Sequence, residues 1–177
     1  MNFNRIVTGH NSEGKSVFRD DLRQPRIIAF EHVRGMVVSP VWSTQAVPNA
    51  EVSADPIPSM TSFVPRPGET RLIVAQFPPD AVLMTIVDPV AAGAEYAQRM
   101  PGLAETFEPD NPGMHRTLSV DYGIVIDGEL WLELDEGVER HVRAGDIVIQ
   151  NATRHAWRNK GSASATIAFV LIGAREF

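Results

Sequence analysis

The sequence contains no cysteine. That absence excludes a disulfide framework, a thiolate zinc site and a cysteine nucleophile. Positive charge is also scarce: 16 Lys plus Arg stand against 22 Asp plus Glu, the formal net charge is −6, and the basic residues form no cluster. A nucleic-acid backbone or an anionic membrane therefore finds no electrostatic footprint, which leaves small molecules and proteins as the expected partners. Long apolar runs are missing as well. The longest, residues 168–174, is far too short to cross a bilayer, and the opening MNFNRIVTGHNSEGK has no apolar run behind a basic patch, so a cytoplasmic protein is expected. There is no phosphate-cradling G-x-x-x-x-G-K-[ST], no G-x-G-x-x-G opening a helix and no G-x-S-x-G elbow. NTPase, dinucleotide-dependent and serine-hydrolase chemistry have no foothold.

Proline is absent after Pro112, whereas all but Pro25 of the 13 prolines fall between Pro40 and Pro112. The 177 residues suit one domain, read as residues 1–88 of N-terminal strands and proline-rich loops, 89–112 as a short helical cover, and 113–177 as a regular sheet region. In that last part the pattern has period 2. Leu130, Leu132 and Leu134 share one face, with Glu129, Trp131 and Glu133 on the other, and turn signals at Asp127-Gly128, Asp135-Glu136-Gly137 and Ala144-Gly145-Asp146 recur within ten residues. Further strands are expected at 146–150, 155–159 and 163–173, and earlier at 26–30, 36–43, 71–77 and 82–87. Residues 48–67 carry too many prolines for central strands and read as extended edge or loop. Residues 89–107, alanine-rich but interrupted by Gly93 and Pro101, read as two short helices. Short strands at this rhythm predict an all-β sandwich or barrel.

Two stretches carry residues suited to chemistry. In HRTLSVD, strand parity puts His115, Thr117, Ser119 and Asp121 on one face; in RHAWRN it puts His155, Trp157 and Asn159 together. Trp157 and Tyr122 flank these positions and could wall a ligand or simply fill the core. His141 in ERHVR and His32 in FEHVRG read as solvated, whereas His10 in VTGH could join the barrel mouth from an N-terminal strand.

With these residues placed, the chain resembles the cupin superfamily, whose first motif reads G-x5-H-x-H-x3-E-x6-G and whose second reads G-x5-P-x-G-x2-H-x3-N. The first motif falls on His115, Thr117, Asp121 and Gly128, the second on Gly145, His155 and Asn159, with the 16 residues 129–144 between them. The chain departs from the pattern where Thr117 replaces the second histidine, Asp121 the glutamate, Pro109 the first glycine, and Asn151 and Thr153 the proline and glycine of the second motif. One residue is also missing before His155. The resemblance implies an all-β double-stranded β-helix, a jelly-roll cupin barrel, with a short helical segment before the first motif.

It further implies His115, Asp121 and His155 as the remaining metal ligands, two imidazoles and a carboxylate suited to Fe, Mn, Ni or Zn. The other outcome for the same row is that it lines a barrel mouth without an ion. Thr117, Tyr122, Trp157 and His10 are the accompanying candidates for a substrate pocket. The function expected is that of a small metal-dependent enzyme acting on an organic carbonyl or carboxylate compound by Lewis-acid lyase, isomerase, dehydratase or decarboxylase chemistry, with O2 use as a variant. A non-catalytic small-ligand-binding module without metal is the alternative. Spare β-rich runs at 26–30 and 36–43 point to a homodimer.

Overall fold

The computed structural model describes residues 3–22, 25–51 and 54–176. The strands are β1 (Thr8–His10), β2 (Ser16–Phe18), β3 (Ile28–Ala29), β4 (Val37–Thr44), β5 (Thr70–Phe77), β6 (Ser119–Asp127), β7 (Glu129–Glu133), β8 (Glu139–Arg143), β9 (Ile147–Asn151), β10 (Ala156–Arg158) and β11 (Ala165–Gly173). Among the described residues they form a β1-β2 hairpin, a six-stranded sheet in the order β3-β4-β5-β11-β6-β9 and a three-stranded sheet β10-β7-β8. Every pairing is antiparallel. Leu130, Leu132 and Val142 of the smaller sheet share one buried cluster with Ile73, Ala75, Val125, Ile167 and Leu171 of the larger. Two sheets closed over a common core make the jelly-roll barrel that the motifs imply.

Local chemistry explains the strand ends. The turn between β6 and β7 consists of Gly128 at φ 75°, where a Cβ would come within 2.9 Å of Ala165 Cα, so both backbone conformation and space demand glycine. Pro40 lies inside β4, and the β4–β5 register shifts between Pro40 and Trp42. A residue without an N–H is tolerated where the ladder is already broken. Of residues 48–67, apart from 52 and 53, which lie outside the described residues, none forms a strand.

The strand expected at 82–87 is not present. After β5 the Asp80 N–H donates to the Asn159 carbonyl at 2.7 Å and its carboxylate accepts from the Asn159 N–H at 2.9 Å. This tie turns the chain away from the sheet into the short helix α1 (Asp80–Leu83), leaving Met84 and Val87 exposed with no ladder to join. The two short helical pieces do form: α2 (Pro89–Arg99), with Pro89 at its first turn and Asp88 accepting from the Ala91 N–H, then a single 3₁₀ turn at Ala104–Thr106. α2 is fastened by buried Glu95, which accepts from the N–H groups of Glu31 and His32 and contacts His32 Nδ1 and Arg99 Nε at 3.0 and 2.8 Å. Burial alone would raise the Glu95 pKa, but these donors outweigh it and hold the carboxylate below its usual range. His32 is exposed, as expected, and its ring also rests against the buried Glu95 carboxylate.

Candidate functional site

His115 precedes β6 and pairs only through isolated bridges, to Phe107 on one side and His155 on the other. That bridge, with N–H to O distances of 2.9 Å in both directions, stacks the two imidazoles with centroids 4.4 Å apart. Each ring is oriented by its own loop. His115 Nδ1 lies 3.1 Å from the Gly113 carbonyl and His155 Nδ1 lies 2.9 Å from the Thr153 carbonyl. A carbonyl can only accept, so both Nδ1 atoms carry the hydrogen and each Nε2 presents its lone pair. Neither Nε2 has a protein partner among the described residues, and neither is sealed off completely. His155 is 4% exposed and His115 half-buried, so the pair leads from the barrel interior toward its surface.

Electrostatics keep both rings neutral. Burial and then the neighbouring His115 push the His155 pKa down to about 4, against the smaller opposing effect of the Thr153 carbonyl; burial lowers His115 likewise. Phe107 packs on His115 at 4.7 Å and Trp157 stands edge-on to His155 at 6.2 Å, giving the pair an apolar wall on either side. The segment before His115 is pinned beside it. Arg154 binds both Glu108 oxygens at 2.6 Å, and Arg158 donates to the Pro112 carbonyl at 2.6 Å.

Parity holds along β6 and the residues before it: Thr117, Ser119 and Asp121 all face inward and are buried. The Ser119 hydroxyl donates to Thr117 Oγ1 at 3.0 Å, and burial pushes the Asp121 pKa up to about 6 against the pull of Ser119. Tyr122 belongs to the other face. It is 41% exposed on the outside of the large sheet, which corrects its expected place in the pocket, because neighbouring residues in a strand point to opposite sides. His10 is exposed on the separate β1-β2 hairpin. His141 stacks on Trp131 and pairs with Glu129 at the surface, and Asn159 is a buried brace that donates to the carbonyls of Phe77 and Ala163. Sequence reasoning missed Phe107, and it missed Gln150, which is 4% exposed and sits opposite Asp121 as its Cα partner in β9. A polar residue at an inward position of DIVIQ was the available signal.

The donor set fits a divalent ion in part. Two neutral imidazoles with Nδ1–H tied to carbonyls and Nε2 unengaged have the form in which histidine ligates metals. However, among the described residues no three His, Asp or Glu side chains are gathered closely enough to hold an ion, although the structure joins His115 to His155. Two open clefts on the surface, of about 330 Å³ beside Arg26 and Arg99 and about 360 Å³ beside Gly128 and Arg143, lie away from the pair.

No family model matches the sequence. Full-length similarity to curated proteins is nevertheless clear. A phomopsin biosynthesis cluster protein C' of Diaporthe leptostromiformis is 30% identical over 174 residues, spanning 97% of this chain and 79% of that protein. A cupin-domain-containing oxidoreductase, virC of Hypocrea virens, is 30% identical over 178 residues, spanning 97% and 76%. The chain belongs to the cupins. A solved cupin 2 conserved barrel domain protein from Salinispora arenicola is also similar, with TM-score 0.42 and 14% identity over 84% of this chain and 89% of that one. Within this cupin, positions assigned by motif to the first and last histidines are the ones that meet in space, whereas the position of the missing second histidine is filled by buried Thr117. No helix among the described residues is long and apolar enough to cross a membrane.

Proposed function

We propose that this cupin is a cytoplasmic small-molecule enzyme whose reactive centre is the His115–His155 pair, acting on an organic compound through a carbonyl or carboxylate group. The observation that carries it is the fixed tautomer: both rings are held neutral, with their Nε2 lone pairs unengaged, between two apolar walls. Such lone pairs accept a hydrogen bond from a substrate hydroxyl or take up two positions on a divalent ion. An ion of Fe, Mn, Ni or Zn held there would act as a Lewis acid on a carbonyl, suiting lyase, isomerase, dehydratase or decarboxylase chemistry. The oxidoreductase name of the virC relative extends the same centre to an O2-dependent variant. Phe107 and Trp157 would exclude water from the reacting group, while the inward hydroxyls of Thr117 and Ser119 would orient its polar substituents.

Elemental analysis of protein purified without chelator tests this, in parallel with His115→Ala and His155→Ala. A stoichiometric divalent ion lost in both variants is the expected result. Thr117, buried where the motif has its second histidine, favours a second reading, a metal-free ligand-binding module. An ion-free protein that binds a small molecule and shows no turnover would establish that module in place of the enzyme.

A further inference from the structure

Asp121 and Gln150 face each other across β6 and β9, both turned inward and 6% and 4% exposed. Each ends in an unpartnered atom: Asp121 Oδ1 and Gln150 Nε2 are buried without a hydrogen bond. The Gln150 amide is oriented by a donor, because the Thr153 hydroxyl bonds to its Oε1. The same Thr153 supplies the carbonyl that fixes the His155 tautomer. Buried polar atoms in native proteins are satisfied, and an orphaned pair of opposite character, side by side in the interior, is a cost that a bound partner would remove.

We propose that Asp121 and Gln150 form a recognition subsite for an amide group of the ligand, whose C=O accepts from Gln150 Nε2 and whose N–H donates to Asp121 Oδ1. This rests on the reading that the barrel interior binds a small molecule, and it narrows that molecule to one carrying an amide or lactam. A carboxylate fits poorly, since it sets a second anion against Asp121 and has no hydrogen to donate. Through Thr153, the subsite that reads the amide is coupled to the ring that would meet the reacting group.

Benzamide and its neutral isostere methyl benzoate, which accepts but cannot donate, separate the two contacts. Titrations of the full chain, followed by the imidazole proton resonances of His115 and His155, should show benzamide binding roughly tenfold tighter, the size of one well-made hydrogen bond. Gln150→Met should weaken both probes, whereas Asp121→Leu should weaken benzamide alone and erase the discrimination. Equal binding of the two probes by wild type, with the imidazole resonances still responding, would overturn the amide subsite and leave the small-molecule reading standing. If neither probe moves the resonances at millimolar concentration, the subsite and the interior binding reading fall together.

Discussion

Two buried groups with opposite titration set the pH response of the metal-free chain. Displacing His155 from 6.5 to about 4 corresponds to about 3 kcal/mol. The unfolded chain takes up that proton first, so this stability is present above pH 6.5 and is lost as the pH falls toward 4. Asp121, displaced from 3.8 to about 6, acts in the other sense. Here the folded chain keeps the proton, so the contribution is present below pH 3.8 and is lost as the pH rises through 6. Between pH 4 and 6 the two offset each other. Asp121→Asn removes one side of that balance: urea unfolding should find the variant roughly 2–3 kcal/mol more stable than wild type at pH 7, with the difference closing by pH 4. Parallel stability curves for the two proteins would mean that the Asp121 carboxyl titrates as an ordinary one.

The elements around the site keep Val125 and Val148 on the core side but also turn polar residues inward and apolar ones outward. In β9 the isoleucines Ile147 and Ile149 point outward and Gln150 inward, and in β6 Tyr122, Ile124 and Ile126 point outward while Ser119 and Asp121 point inward. Polar side chains inside and aliphatic ones outside are what a strand needs when its inner face meets a ligand and its outer face meets another surface. The helical cover depends on a different device. Glu95 joins α2 to the loop at Glu31 and His32, and α2 in turn holds Tyr96 against Phe30 at 4.6 Å and against Phe107 at 6.1 Å, next to His115. Glu95→Ala removes the acceptor that gathers four donor groups and should cost roughly 2–4 kcal/mol. Hydrogen exchange should accelerate through residues 89–99 and 30–33 together; acceleration confined to the helix would show that the loop is held by other contacts.

At the scale of the molecule, the outward residues of β6 and β9 form one uncharged apolar face, because the register sets Ile149 beside Tyr122 and Ile147 beside Ile124. β9 is also an open edge of the large sheet. A second copy is the expected occupant. Copies carrying a net charge of −6 repel each other least where neither presents charge, and a two-fold axis lays such a face on itself. The spare strands from which a dimer was expected are used otherwise, since β3 and β4 extend the chain's own sheet. Sedimentation should give about twice the 19.5 kDa chain mass, and Ile149→Lys should return the monomer with the far-UV circular dichroism unchanged. A wild-type mass of one chain at micromolar concentration would remove the dimer.

Much of this was legible in one dimension. Period-2 leucines between glycine turns determine β7 and its neighbours, because alternation and turn chemistry are local and the proline-free stretch offers no competing structure. The family motifs likewise identify His115 and His155, whose cross-strand meeting needs only the barrel topology. Tertiary structure alone decided the rest. Parity places Asp121 on the same face as His115, but His115 precedes β6 and Asp121 lies within it, so the neighbour each one meets depends on which strand pairs with its own segment. Which strand lies alongside then settles the cross-strand neighbour: the β6–β9 register sets Asp121 opposite Gln150, and the isolated bridge sets His115 opposite His155. The segment at 82–87 shows the same physics: its apolar residues suit a strand, but the long-range tie from Asp80 to Asn159 carries them off the sheet, and a strand without a neighbour to bond is not a stable state of the chain.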